Sequence, residues 1–456
     1  MSKKTVSRRD FVKATALGGG AMILAACAAP AAPAAEPAAA ATAAPAATAM
    51  PEPTSVPTPA EPTSPVTLEM MSGDWFSMDS VVAAFEGMHP NIKIKVTPVS
   101  TSDATTKVQA TAGEGQSTPD LYLVDQPRVP GWAAAGWLMD LTGRVPDMSG
   151  TVFDDAIQQS THNGQLFSLP ESESTGIVLF NRDLLSKAGV TPPDLSTRWT
   201  WEQVLAAAKK AQAAGAQYGI IWDQPDAYYQ MQPLAESLGG GSGLTGPDNL
   251  TPDITNSGWV QAMTWYGQLY SDEVSPRGVG FTQAYDLFNA GKGAFLVSGP
   301  WAPSMIPNHE INMGLMRQPY FESGKPITPS GGWALGINPH TQYPDAALLF
   351  AEFMTIDGAG NKLFSTAEQD TPSLIANVPV IFGTEAYSWW PESASIPDLL
   401  IDELQNTAVA RARTIGYPQF ENIMTRAFTD IINGGDAAST LQRATSELQT
   451  AFAALK

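Results

Sequence analysis

The chain has 456 residues and is strongly acidic, with 45 Asp and Glu against 25 Lys and Arg and a formal net charge of −20. This charge argues against nucleic acid or an anionic membrane surface as a partner, because both are themselves negative. The length allows a large hydrophobic core, and Cys27 is the only cysteine. The fold must therefore be stable without an internal disulfide.

The N-terminus has the order of an export signal. A basic start that contains Arg8 and Arg9 precedes an uncharged apolar run over 14–26, which is typical of a secretory signal peptide. The arginine pair resembles a twin-arginine export signal, and the sequence LAAC that ends at Cys27 resembles a bacterial lipobox. The resemblance implies removal of a signal peptide over 1–26 and lipidation of the Cys27 sulfur. An extracytoplasmic chain anchored to the cell membrane as a lipoprotein is the expectation.

The segment 27–65 consists, after its cysteine, almost wholly of Ala, Pro, Thr, Ser and Glu. It contains no aromatic residue, so it cannot bury enough apolar surface to offset its chain entropy. It is predicted to be a disordered tether. No long apolar segment occurs from residue 66 onward, so the lipid would be the only membrane attachment.

The remaining body, about 390 residues, has the length of two domains. Its first hydrophobic patterns predict, in order, a strand, a helix, a strand, a helix and a strand over 65–73, 78–90, 91–100, 103–114 and 119–125. This alternation is typical of α/β folds with a parallel sheet. Ligands of such sheets bind at the carboxyl ends of strands, where Asp74, Trp75 and Asp125 are expected.

The second part of the body continues the alternation. Thr200 with Gln203 has the pattern of a capping box that begins a helix. The other predictions are a strand and helix within 166–190, a strand over 219–223, a loop over 236–253, helices near 256–272 and 282–291, strands over 293–301 and 330–339, a helix over 343–356, and two helices over 418–455 that are split at Gly434 and Gly435.

Several motifs then occur in a family-specific order, among them PDLYLVD at 119–125, YDLFNAGKGAFLVSGPW at 285–301 and GGWALGIN at 331–338. In order and spacing, the body over 66–456 resembles the family 1 extracellular solute-binding proteins of carbohydrate ABC importers, the class that includes maltose-binding protein. The resemblance implies a two-lobe, type II periplasmic-binding-protein fold of the α/β class with a ligand cleft between hinged lobes. It also implies a monomer that meets the permease subunits of an ABC importer and needs no cofactor.

By the same resemblance, the chain crosses between the lobes several times. Lobe 1 is expected to take residues 66–173 and 328–372, and lobe 2 residues 174–327 and 373–456. Closure of the lobes on the ligand would present the bound state to the permease.

A sugar ring has an apolar C–H face and a rim of hydroxyls, so its site combines aromatic side chains with carboxylates, amides or arginine. The chain has 12 Trp and 11 Tyr, most of which should belong to the core. The resemblance assigns ring stacking to Trp301 and Trp333, close backbone approach to Gly331, a carboxylate to Asp125 and a further aromatic to Tyr229. Other roles stay open: a core tryptophan for Trp301 and a helix N-cap for Asp125.

Four further candidates complete the expected site. Arg413 matches an arginine that grips sugar hydroxyls in some members, and Tyr417 lies near it. Glu171 and Ser174 lie at the first crossing between lobes. Maltose-binding protein has an acid where this chain has Ser174, so Glu171 or Glu173 would take that role. Asp74 and Trp75 are equally compatible with a surface turn.

An enzyme is the rival class. A glycosidase needs two carboxylates across one bond, and the many Asp and Glu do not exclude such a pair. No G-x-S-x-G, H-E-x-x-H or Walker A motif is present, and the four His residues, 89, 162, 309 and 340, are scattered. No catalytic residue and no metal site is therefore predicted.

The sequence leaves the ligand open between a sugar, a glycerol phosphate and a polyamine. A glycerol-phosphate ligand would need basic residues in the cleft, and a polyamine would need an acidic cluster. The net acidity disfavours a phosphate, and the abundance of tryptophan favours a sugar. A sensor that uses the same fold without transport has the same sequence features.

Overall fold

The computed structural model describes residues 58–306, 311–369, 371–382, 387–390 and 392–455. The predicted signal peptide 1–26, the predicted lipidation site Cys27 and the tether up to residue 57 lie outside the described residues, as does His309. The last tether residues, 58–65, have no regular secondary structure. They contact the body, since the Asn91 side-chain amide donates to the Pro62 carbonyl at 3.0 Å.

Strands occur at intervals from residue 66 to residue 410. In chain order they are β1 (Val66–Gly73), β2 (Ile92–Val99), β3 (Leu121–Asp125), β4 (Thr161–His162), β5 (Gln165–Leu166), β6 (Leu169–Pro170), β7 (Ser174–Thr175), β8 (Ile177–Asn181), β9 (Tyr218–Trp222), β10 (Leu244–Thr245), β11 (Thr251–Pro252), β12 (Gly293–Ser298), β13 (Met313–Arg317), β14 (Thr328–Gly331), β15 (Trp333–Ile337) and β16 (Ala408–Ala410).

Helices lie between these strands and fill the C-terminal part. They are α1 (Asp79–Met88), α2 (Thr101–Thr111), α3 (Val129–Ala134), α4 (Asp154–Gln159), α5 (Arg182–Lys187), α6 (Trp201–Ala213), α7 (Tyr228–Ser237), α8 (Ser257–Ser271), α9 (Phe281–Asn289), α10 (Pro344–Thr355), α11 (Gly358–Glu368), α12 (Val378–Phe382), α13 (Ile396–Asn406), α14 (Tyr417–Ile432) and α15 (Ala437–Ala453). The capping box predicted from Thr200 and Gln203 is confirmed at the start of α6.

The first large sheet has the strand order β2-β1-β3-β15-β6, and we call it the lobe 1 sheet. The alternation in β2 places Ile92 and Ile94 in the core and Lys93 and Lys95 in solvent, as suits an edge strand. The central strand β3 is buried at every position. β1 runs parallel to β2 and β3, but β15 is antiparallel to β3 and β6. The expected parallel sheet is therefore mixed, because β15 enters it from a distant part of the chain.

The second large sheet has the order β13-β8-β12-β9, and we call it the lobe 2 sheet. β12 is parallel to β9 and antiparallel to β8. Its core is rich in large aromatic side chains, of which Trp201 and Trp222 stack with their ring centroids 5.4 Å apart. The strands of both sheets fall within the ranges predicted for lobes 1 and 2, whose limits remain a prediction.

A small three-stranded sheet of order β16-β14-β7, the hinge sheet, joins the two. The stretch 330–339, predicted as one strand, is divided here, because β14 belongs to the hinge sheet and β15 to the lobe 1 sheet. Gly332 is the dividing residue. A Cβ at Gly332 would overlap the Ser172 carbonyl, so only glycine allows the two chain segments to pass this closely.

Within the described part of the chain, no helix has both the length and the apolar character that crossing a bilayer requires.

Candidate functional site

An open cavity of about 650 Å³ lies where the ends of the lobe 1 and lobe 2 sheets face each other. Lobe 1 and lobe 2 both contribute to its wall, and aromatic side chains are prominent in it. Its lining residues are Trp75, Phe76, Trp333 and Glu368 from lobe 1, and Gln224, Phe281, Thr282, Trp301, Ser304 and Met305 from lobe 2. Three predicted site residues, Trp75, Trp301 and Trp333, therefore share this cavity, which we call the aromatic cleft.

A larger cavity of about 830 Å³ lies among α1, α10 and α11, lined by residues such as Met88 and Phe353. It contains none of the predicted site residues. We therefore take the aromatic cleft as the candidate site, because ligands of two-lobe folds bind between the lobes.

The lobe 1 wall is an aromatic cluster at the end of β1. Trp75 and Phe76 follow this strand, and Trp333 begins β15, which brings the centroid of the Trp333 ring to 5.2 Å from Trp75 and 6.1 Å from Phe76. Trp75 keeps 45% of its surface exposed. A large aromatic side chain held in contact with others yet open to solvent offers a ring face to a ligand.

The lobe 2 wall is built around Trp301, which follows β12 and is half-buried. Its indole N–H donates to Asp223 Oδ2 at 3.1 Å. The Tyr229 ring, on α7, has its centroid 6.1 Å from that of Trp301. Tyr229 is 8% exposed, so it supports the wall from behind more than it lines the cavity.

Asp223 is fully buried directly after β9. Its carboxylate accepts hydrogen bonds from Tyr285 at 2.8 Å and Ser298 at 2.7 Å, as well as from Trp301 and Gln230. Burial raises the pKa of Asp223 to about 6, although these hydrogen bonds oppose the rise. Asp223 was not among the residues predicted from sequence. The sequence feature that could have identified Asp223 is its position directly after an apolar strand, the same feature from which Asp125 was predicted.

Asp125 and Arg411 form an ion pair that lies next to the cleft without lining it. Asp125 ends β3, and both its oxygens accept from the Arg411 guanidinium, at 2.6 and 3.2 Å. Arg128 Nε lies 3.7 Å from the same carboxylate. The Arg411 guanidinium also lies over the Tyr229 ring, 5.6 Å from its centroid. The pKa of Arg411 is raised because the favourable charges of Asp125 and other groups outweigh desolvation.

Ser174 and Gly331 lie beside this ion pair and also do not line the cleft. The Ser174 hydroxyl is 3.0 Å from the Tyr229 hydroxyl and donates to the Gly331 carbonyl. A Cβ at Gly331 would be 2.9 Å from Arg411 Nη2. The glycine therefore leaves room for the guanidinium, whereas the resemblance had assigned it to close approach of a sugar.

Arg413 and Tyr417 do not line the aromatic cleft. Arg413 Nη2 donates to the Thr161 carbonyl at 2.7 Å, in a separate cavity of about 260 Å³ that also contains His162. Tyr417 is 1% exposed and its hydroxyl is bonded to Glu421. Arg411 was not predicted from the sequence. The stretch ARAR at 410–413 contains two arginines, and the sequence does not show which of them faces Asp125. Asp74 is exposed at the end of β1 and is not part of the lining.

Two acidic side chains, those of Asp155 and Glu173, meet at the hinge sheet. Glu171 and Glu173 are fully buried, and Ser330 Oγ lies 3.1 Å from Glu173 Oε1 and is also hydrogen-bonded to Asp155. Burial, and secondarily the charge of Asp155, raises the pKa of Glu173 to about 8. Burial likewise raises the pKa of Asp155. The raised pKa favours the protonated form of Glu173, which reduces the repulsion between the two carboxyl groups beside Ser330. The described residues contain no cluster of three or more His, Cys, Asp or Glu that could hold a metal ion.

The comparisons with known proteins agree with this geometry. Residues 77–360 match the family model described as bacterial extracellular solute-binding protein. The chain belongs to this family of solute-binding proteins.

Three curated relatives illustrate the range of the family. The galactooligosaccharide-binding protein of Bacillus subtilis is 26% identical over 67% of this chain and 72% of its own length. The maltodextrin-binding protein of the same organism is 26% identical over 58% of this chain, but the match spans only 62% of that protein. An sn-glycerol-3-phosphate-binding periplasmic protein of Brucella melitensis is 25% identical over 83% of this chain and 84% of its own length.

Solved structures show the same fold. An ABC substrate-binding protein of Listeria monocytogenes, in complex with cycloalternan, superposes with a TM-score of 0.73 at 22% identity. The superposition covers 85% of this chain and 99% of that one. The two-lobe, type II periplasmic-binding-protein fold predicted from sequence is confirmed.

Replacing Glu173 by Gln is expected to flatten the pH dependence of the unfolding free energy between pH 4.5 and about 8. The folded-state pKa lies above the unfolded value, so the folded chain holds a proton that the unfolded chain releases in this window. The contribution of the Glu173 proton to the free energy of unfolding is complete below pH 4.5. As the pH rises above this value, the free energy of unfolding falls by up to about 1.4 kcal/mol per pH unit. Urea denaturation of the full chain at four pH values measures the slope.

Glu447→Gln, an exposed position on α15, is the matched control and should keep the wild-type slope. A Glu173→Gln slope equal to that of the wild type would show that Glu173 is already ionised at neutral pH.

Proposed function

We propose that this chain is an extracytoplasmic substrate-binding lipoprotein that captures a sugar, either a mono- or an oligosaccharide, in the aromatic cleft and delivers it to the permease of an ABC importer. The observation that carries the proposal is the aromatic cleft itself. Its two opposed walls present Trp75 and Trp333 on one side and Trp301 on the other, around about 650 Å³.

This arrangement suits the chemistry of a sugar. The C–H faces of a sugar ring pack on tryptophan faces, which exclude water from both sides of the ring. Its hydroxyl rim would meet the polar lining groups of Gln224, Thr282 and Glu368. Relatives that bind galactooligosaccharide and maltodextrin have ligands of this kind.

A glycerol phosphate is the second candidate, because one relative binds it. A phosphate dianion needs cationic or N–H donors close to it. Among the described residues that line the aromatic cleft there is no Lys or Arg. The nearby Arg411 is already engaged by both oxygens of Asp125. The lining therefore favours a neutral ligand over a phosphate.

The chain is proposed to bind without turnover. Solute-binding proteins work by reversible capture, and the family assignment supports this mode. The lipid anchor on Cys27, the tether and the twin-arginine export route belong to the proposal as sequence-based parts, since those residues lie outside the described structure.

A ligand panel tests the proposal on the full chain. The panel contains maltotriose, a galactooligosaccharide, tagatose, sn-glycerol 3-phosphate and spermidine. One sugar class should cause a saturable change in tryptophan fluorescence and raise the melting temperature. At a ligand concentration of a hundred times Kd, binding should add about 2.7 kcal/mol to the free energy of unfolding. The sugar should be recovered unchanged. A response to glycerol phosphate or spermidine alone would overturn the sugar assignment, and a hydrolysed sugar would overturn reversible capture.

Trp301→Ala should weaken binding of the sugar identified in this panel by about 2 kcal/mol or more, roughly 30-fold in Kd, because a buried aromatic contact is lost. Isothermal titration of the full chain measures it. Trp265→Ala is the matched control: this tryptophan is also half-buried in lobe 2, but it packs on Phe321 away from the cleft. An unchanged Kd for Trp301→Ala would assign Trp301 to the core.

A further inference from the structure

The buried carboxylate of Asp223 lies directly behind the lobe 2 wall of the aromatic cleft. It is 0% exposed and does not line the cavity, so it cannot contact a ligand there. Its Oδ2 atom accepts from the Trp301 indole at 3.1 Å, and also from Tyr285 and Ser298. An indole has a single polar hydrogen, and in Trp301 that hydrogen points into the protein.

The direction of this bond decides what Trp301 offers to the cleft. With its N–H held by Asp223, the ring cannot turn its polar edge toward a ligand without leaving a buried carboxylate short of a donor. Losing a hydrogen bond to a buried charged group costs more than losing one between neutral groups. The apolar surface of the indole is thereby committed to the cavity.

The other donors to Asp223 come from several elements that build the lobe 2 wall. Gln230 comes from α7, which also carries Tyr229, and Tyr285 comes from α9, whose first residues, Phe281 and Thr282, line the cleft. Ser298 ends β12, three residues before Trp301. One carboxylate therefore connects the ends of β9 and β12 with α7 and α9.

We propose that Asp223 is the positioning residue of the sugar site, which fixes the Trp301 indole so that its ring face meets the sugar. This inference rests on the proposed function. Asp223 supplies acceptors for four donors at a fully buried position, and burial raises its pKa to about 6, so its ionised form costs stability at neutral pH. Such a cost is typical of functional positions.

Two substitutions separate the acceptor from the charge. Asp223→Asn can place its amide oxygen where Oδ2 now accepts from Trp301, while its NH₂ group donates to the carbonyl of a rotated Gln230 side chain. Asp223→Leu keeps the number and branching of the heavy atoms and removes the acceptor. Tyr270→Phe is the control, because it removes a buried lobe 2 hydroxyl that is bonded to Tyr266 and not to the Asp223 network.

The first readout is hydrogen exchange of the Trp301 indole N–H in the full chain labelled with [¹⁵N]tryptophan, with the resonance assigned by Trp301→Phe. Exchange should be slow in the wild type, in Asp223→Asn and in Tyr270→Phe, and at least tenfold faster in Asp223→Leu. The second readout is the Kd for maltotriose, or for the panel sugar that the wild type binds more tightly. It should rise at least tenfold in Asp223→Leu and less than threefold in the other two variants.

Three results would overturn the inference. The first is exchange of the wild-type Trp301 indole N–H at the rate of the exposed Trp75 indole N–H. This comparison needs only the wild type, so it tests the inference even if Asp223→Leu does not fold. The second is wild-type exchange and affinity in Asp223→Leu. The third is an Asp223→Asn variant as weak as Asp223→Leu, which would indicate a need for charge and not for an acceptor. If no panel sugar binds, the proposed function fails, and the exchange rates alone then confirm or overturn the role of Asp223 in holding Trp301.

Discussion

The ion pair between Asp125 and Arg411 is the interaction on which the geometry of the cleft depends. Asp125 ends β3 and is directly opposite Trp333 in the lobe 1 sheet, while Arg411 follows the hinge strand β16 and lies over Tyr229 of lobe 2. The pair thus links both walls of the cleft to the hinge sheet. Both side chains are nearly buried, so removing Asp125 would deprive the Arg411 guanidinium of the carboxylate that pairs with it inside the protein.

With those charges satisfied by each other, the ligand-facing surface is left largely aromatic. Trp75 and Trp333 cover one side, Trp301 covers the other, and Asp223 holds the Trp301 indole from behind. Beside the hinge sheet, Glu173 is hydrogen-bonded to Ser330, and burial raises the pKa of its carboxyl group. These arrangements suit the proposed recognition of a sugar by shape and ring stacking, with few charges in contact.

Much of the fold could be predicted from the sequence because periodicity and capping are local signals, as at α6. The aromatic residues at strand ends were also predictable, since Trp75 and Trp301 follow apolar strands. The division at Gly332 was not, because it depends on the close approach of Ser172, which is distant in sequence. The choice of Arg411 over Arg413 and the role of Asp223 depend on side-chain partners from other elements, which no spacing along the chain encodes.

A crystal structure of the full chain with the tightest-binding sugar of the panel tests the central claim most directly. The claim predicts a sugar ring in the aromatic cleft, with its carbon atoms about 4 Å from the ring atoms of Trp301 or Trp333 and with the Asp125–Arg411 pair intact. A sugar bound in the separate cavity beside Arg413 and His162, with the aromatic cleft empty, would contradict it.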